Sequence, residues 1–97
     1  MQYISNAFSL QMIDLNEGHS VSIVPVESLP KESADCVSVV GHPDTAAVLG
    51  VTFNRASVKL NKGDILYVAQ LVGGRLPEGA TSLPEGFSFK FVRITID

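Results

Sequence analysis

Ninety-seven residues, 45% of them hydrophobic, are enough for one compact core and exclude a disordered chain. Charged residues make up only 18% and sum to −3, below the roughly 25% of an ordinary soluble chain and of the wrong sign for coating long nucleic acid through its phosphates; a local anion pocket and an oligomer both remain compatible with this balance. The one cysteine, Cys36, excludes an internal disulfide and a Cys-based zinc cluster, and no apolar run approaches the roughly 18 residues of a membrane span, so one cytoplasmic domain over residues 1–97 with no membrane partner is expected.

Along the chain, Val21, Ile23 and Val26 suggest a half-buried strand with Pro25 near an edge. Residues 28–35 read as a surface loop. The β-branched run CVSVV, 36–40, has the character of a strand covered on both faces, and it stops at Gly41. Pro43 suits the first position of a helix, Asp44 suits its positive end, and Gly50 supplies a stop. After Asn54-Arg55, Val58 and Leu60 alternate with Ser57 and Lys59, which predicts a strand with one wet face, followed by a turn at Asn61-Lys62-Gly63-Asp64. ILYVAQLV, 65–72, is the most apolar run and predicts a central strand. Four glycines and two prolines between Gly73 and Gly86 predict an extended loop, in which LPEG occurs twice as local turn chemistry. Phe87, Phe89, Phe91, Ile94 and Ile96 predict a closing strand with a change of register between Phe91 and Ile94.

Five places carry candidate chemistry. Gly41-His42-Pro43 forms a strand-to-helix junction, where backbone N–H groups attract phosphate and a histidine can hold a proton near neutrality; a capping or packing histidine would occupy the same position. Arg75 and Glu78 stand three residues apart in the glycine-rich loop, suited either to binding a phosphate and orienting it or to forming an exposed ion pair. Asn6 and Ser9, after the first strand, can hydrogen-bond a phosphate or cap the next segment, and Gln70 interrupts an apolar strand with an amide that needs a polar partner. Arg55 precedes a predicted strand. Neither histidine shows metal-ligand spacing, and there is no P-loop or Gly-x-Gly-x-x-Gly signature, so no metal or cofactor is implied.

Taken together and in order, ISNAFSLQM, VGHPDTAAVLG, NRASVKLNKGDILYVAQL and GGRLPEGATSLPEGF resemble the viral anti-CRISPR ring nuclease family and its cellular relatives, over nearly the full length and least across 15–35. The resemblance implies a small single α/β domain with a mixed β-sheet flanked by short helices. It also implies a symmetric homodimer that acts on cyclic tetra-adenylate, the second messenger of type III CRISPR immunity. By that resemblance His42, Arg75 and Glu78 are catalytic, and Asn6, Ser9, Gly41, Arg55 and Gln70 contact substrate. The chemistry expected is metal-independent: the ribose 2′-hydroxyl attacks the phosphate, His42 protonates the leaving oxygen, Arg75 stabilises phosphate charge, and Glu78 orients the ribose or Arg75. Two further expectations are a non-catalytic module that sequesters a cyclic nucleotide and a protein-interaction module.

Overall fold

A computed structural model describes residues 1–14, 18–29, 36–56 and 58–97. Five strands form one mixed sheet: β1 (Gln2–Ser5), β2 (Val21–Val26), β3 (Val37–Ser38), β4 (Ile65–Val72) and β5 (Ser88–Ile96), in the spatial order β2-β5-β4-β1-β3. The β2–β5 and β4–β5 pairs are antiparallel, whereas β1 is parallel to both β3 and β4. A 3₁₀ turn (Leu10–Met12) and one α-helix, α1 (Pro43–Leu49), complete an α+β domain.

The sheet separates two cores, and strand alternation assigns neighbouring residues to opposite sides. Tyr3, Ile13, Val39, Leu60, Leu66, Val68, Ile94 and Ile96 pack on one face, covered by Phe8, Met12 and Val58. Ile4, Val40, Ala46 and Tyr67 pack on the other, beneath α1. The uninterrupted run 65–72 is apolar because β4 lies between β1 and β5 and is covered on both faces along its first half. Leu66, Tyr67, Val68 and Ala69 are all buried.

The helix forms where the sequence places it. Pro43 occupies the first turn, Asp44 adds an acidic group there, and Gly50 closes the helix in the left-handed conformation at φ 74. The turn before β4 also forms: Asn61 donates its N–H to the Asp64 carboxylate at 2.8 Å, and Gly63 takes φ 89. The α-ammonium of Met1 bonds the same carboxylate at 3.0 Å. Burial opposes ionisation of Asp64, yet the Asn61 N–H and the Met1 ammonium outweigh it and hold the carboxyl below its ordinary range.

Four expectations are corrected. Residues 36–40 are not a strand covered on both faces: β3 is a two-residue edge strand, Val37 is 38% exposed, and Val40 instead bridges Phe53. The wet-faced strand over 57–60 is absent from its described residues. Leu60 is buried there by packing and by its N–H bond to the Met12 carbonyl, and Lys59 reaches the Gln11 carbonyl, so the alternation reflects a draped segment rather than a ladder; Ser57 lies outside the described residues. β2 is an edge strand with Pro25, as its composition implies, but Val21, Ile23 and Val24 are exposed rather than half-buried. β5 pairs with β4 in one continuous register, with no change between Phe91 and Ile94. Phe89 and Phe91 share one face, with rings 6.0 Å apart, and Ile94 and Ile96 face the opposite core. Of the loop read over 28–35, residues 30–35 fall outside the described set.

Candidate functional site

Three parallel tracks end at one side of the sheet. β1 leads into Asn6, the chain after β3 leads through Val40 into Gly41 and His42, and β4 leads into Gly73, Gly74 and Arg75. Ligands of open sheets bind outside the carboxyl ends of parallel strands. A cleft of about 330 Å³ opens there, lined by Asn6, His42, Thr45, Leu71, Gly74, Arg75 and Leu76. Larger depressions occur elsewhere on the described surface, but histidine and arginine are absent from their walls. The smaller cleft is therefore selected by its chemistry.

His42 is held at both its backbone and its ring. It is the N-cap of α1, and its Nδ1 accepts the Thr45 N–H at 3.2 Å, with the Thr45 hydroxyl 3.3 Å from the same nitrogen. A nitrogen that accepts an N–H carries no proton, so this hydrogen bond assigns the proton of the neutral ring to Nε2. The capping role expected as an alternative is thus real, and it leaves Nε2 outside the cap. The preceding peptide is held from two sides. Asn6 Oδ1 accepts the Gly41 N–H at 3.3 Å, and Arg55 Nε donates to the Gly41 carbonyl at 3.0 Å. Arg55 in turn lies 5.6 Å over the Phe53 ring. Asn6 and Arg55 therefore set where the histidine sits.

Arg75 reaches the cleft because its neighbours anchor the loop. Leu76 is buried at 5% exposure, and Gly79 N–H donates to the Asp44 carboxylate at 3.2 Å, so the loop is fastened to α1. Both LPEG copies make the same local structure. Ala80 N–H bonds the Pro77 carbonyl and Phe87 N–H bonds the Pro84 carbonyl, with Gly79 at φ 76 and Gly86 at φ 85 in the third turn position. Glu78 consequently sits on an exposed turn outside the cleft lining, and it makes no ion pair with Arg75.

The remaining candidates lie elsewhere. Ser9 caps the 3₁₀ turn, accepting the Gln11 N–H at 3.1 Å, and lines a depression with Met12, Val39 and Val58 on the face opposite α1. Gln70 alternates with Leu71, so its amide also faces away from His42; it lines a separate cavity of about 340 Å³ with Phe8, Val68 and Lys90. Asn6 lines both that cavity and the His42 cleft. The fold thus brings together Asn6, Gly41, His42, Arg55 and Arg75, and it does not bring Ser9, Gln70 or Glu78 to the same cleft. As residues of the site, Thr45, Leu76 and Asp44 escaped the sequence reading. Their signals are a hydroxyl three residues after a capping histidine, the apolar residue opening a Pro-Glu-Gly turn, and a first-turn carboxylate able to accept from a distant loop.

Among the described residues, no group of three or more His, Cys, Asp or Glu is placed to hold a metal ion, and no helix is long and apolar enough to cross a membrane.

The STIV B116-like family matches residues 2–88. Among solved structures, the chain is similar to B116 of Sulfolobus turreted icosahedral virus over 97% of each chain, at a TM-score of 0.69 and 21% sequence identity, a likeness of fold. No curated protein matches it.

Proposed function

The chain belongs to the STIV B116-like family, and on that fold we propose that it is a metal-independent ring nuclease that binds and cleaves cyclic tetra-adenylate and so switches off type III CRISPR signalling in the prokaryotic cytoplasm. The observation that carries this reading is the convergence of His42 and Arg75 on one cleft at the carboxyl ends of the parallel strands, with Asn6 beside them. The ordered motifs that resemble ring nucleases support it through five of the residues they nominate, since Asn6, Gly41, His42, Arg55 and Arg75 line or brace this cleft while Ser9, Gln70 and Glu78 stand outside it.

RNA carries its own nucleophile. The ribose 2′-oxygen bonds to phosphorus while the bond from phosphorus to the 5′-oxygen breaks. His42 Nε2 gives a proton to that leaving oxygen, and the 2′-hydroxyl proton passes to solvent or to Glu78 if substrate draws its turn inward. Arg75 pairs with the phosphate oxygens as charge builds on them. The products are a 2′,3′-cyclic phosphate and a 5′-hydroxyl. General acid catalysis contributes about 10² to 10⁴-fold, so alignment of the 2′-oxygen and charge stabilisation supply the rest. A symmetric homodimer would present two such clefts to equivalent phosphates of one ring.

Two observations favour a second reading, a non-catalytic module that sequesters the cyclic nucleotide: His42 already serves as a cap, and Glu78 stands outside the cleft. Incubation with cyclic oligoadenylates in excess EDTA, followed by product chromatography, separates the two. The nuclease reading expects linear products from the ribose ring and none from its 2′-deoxy analogue, with one ring bound per two chains. Tight binding without product establishes the sequestering module, and neither binding nor product rejects both.

A further inference from the structure

We propose that Thr45 is a positioning residue that keeps the His42 imidazole in one orientation in both of its protonation states. The inference rests on the reading of His42 as a proton donor, and its test is arranged to stand apart from that reading.

In the neutral ring, Nδ1 accepts the backbone N–H of Thr45 at 3.2 Å. A general acid must instead enter the reaction as an imidazolium, with a proton on each nitrogen. Nδ1 then has nothing to accept with, and its new N–H faces the N–H of Thr45. A histidine held only by that cap would be expelled from its position on protonation. The Thr45 side chain removes the conflict, because its Oγ1 lies 3.3 Å from the same nitrogen. A hydroxyl donates or accepts by rotating its hydrogen, so Oγ1 can turn its own hydrogen away and accept from Nδ1–H where the backbone N–H cannot. The same contact serves after proton transfer. Once Nε2 has given its proton to the leaving oxygen, the remaining proton is on Nδ1, and Oγ1 holds that tautomer until solvent protonates Nε2 again.

The surroundings make this hydroxyl the relevant group. Thr45 is 7% exposed and lines the cleft beside His42. The charged groups near the ring are Arg75 from the loop after β4, Arg55 bonded at Gly41, and Asp44 on α1, whose carboxylate is engaged by the Gly79 N–H. β1 contributes the uncharged Asn6 and β4 the uncharged Leu71. Among the described residues, the hydrogen-bond partners of Nδ1 are the Thr45 N–H and its Oγ1.

The test is an NMR titration of the His42 ring, identified by its loss in His42→Ala, in the wild type, Thr45→Val and Thr45→Ser. Thr45→Val keeps the backbone cap and removes the oxygen. Its His42 midpoint is expected to move to lower pH by about half to one unit, the equivalent of one ordinary hydrogen bond to the charged form, and Thr45→Ser is expected to restore it. Cleavage should fall about three- to tenfold in Thr45→Val, the worth of one hydrogen bond, and return in Thr45→Ser. An unshifted midpoint in Thr45→Val, or a serine variant that behaves as the valine one, overturns the proposal. A shifted midpoint in a protein that cleaves nothing upholds Thr45 and rejects the nuclease reading instead. If Thr45→Val does not fold, Thr45→Ala carries the same loss of oxygen in a smaller side chain.

Discussion

The Asp44 carboxylate accepts the backbone N–H of Gly79 at 3.2 Å, and through that bond the helix that begins beside His42 holds the loop that carries Arg75. His42 and Arg75 are thereby kept on one cleft by a contact that involves neither of them. Asp44→Ala should release the loop while leaving the sheet intact. Hydrogen exchange at Gly79 and its neighbours is expected to accelerate, and ring affinity to fall about three- to tenfold, the worth of one hydrogen bond of roughly 0.5–1.5 kcal/mol. Exchange mass spectrometry and a binding titration check both.

His42 combines a cap and a proton donor in one side chain, and two substitutions separate them. Asparagine caps helices well, whereas alanine does not. His42→Asn should keep the thermal midpoint close to wild type, and His42→Ala should lose about 1 kcal/mol of stability. Both should reduce cleavage by about 10² or more, the scale of a missing general acid. Equal turnover in wild type and His42→Asn would remove His42 from the mechanism.

Arg75 and Glu78 should respond differently because only the first lines the cleft. Arg75→Ala is expected to weaken ring binding and turnover together, since an arginine–phosphate contact exists before and during reaction. Glu78→Gln is expected to leave fold and affinity near wild type and to lower turnover by less than about 10², as an orienting group would rather than an obligatory base. Single-turnover rates and calorimetry on the two variants make the comparison.

Asp64 supplies a pH-dependent share of stability. Its folded carboxyl lies below the ordinary value of 3.8, so that share is complete above the unfolded value and is lost as pH falls through the lower folded one. Asp64→Asn should cost about 1 kcal/mol near pH 7, the scale of one hydrogen bond, and a smaller amount well below the folded value. Urea unfolding midpoints at the two extremes of pH read the difference directly.

Much of the frame was legible because the relevant signals are local. The run 65–72 announces a strand with neighbours on both sides, and Pro43, Asp44 and Gly50 mark a helix by backbone chemistry that needs no tertiary partner. The misread segments are those whose pattern has two physical origins. Val58, Lys59 and Leu60 alternate as a strand would, but their burial comes from lying over Met12 and not from a ladder. The apolar residues of β5 change parity after Phe91, which imitates a bulge; the strand simply buries one face near its start and the other near its end.

The site was legible in part for the same reason. His42 and Arg75 each follow a strand that ends at the same side of the sheet, so their positions in sequence already carry their meeting. Gln70 differs because one residue of strand parity turns it to the far face. Thr45 was invisible as a partner of His42 until the ring's Nδ1 was seen turned back on its own helix.

The base of the 73–86 loop is closed by a contact that tolerates no side chain. Gly73 adopts φ 119, and a Cβ there would lie 2.8 Å from the Gly86 carbonyl oxygen and 3.0 Å from the Phe87 Cα. The chain leaves the sheet and returns to it through one collar, with Val72 still paired to Ser88. Beyond the collar the loop is fastened again at buried Leu76 and at the Gly79 bond to Asp44, whereas the exposed second turn, Leu83 to Gly86, leads straight back into it. Doubling the loop's length would cost only about 0.6 kcal/mol of closure entropy, so its reach can change between those fixed points, while a single methyl group at Gly73 would pry the collar open.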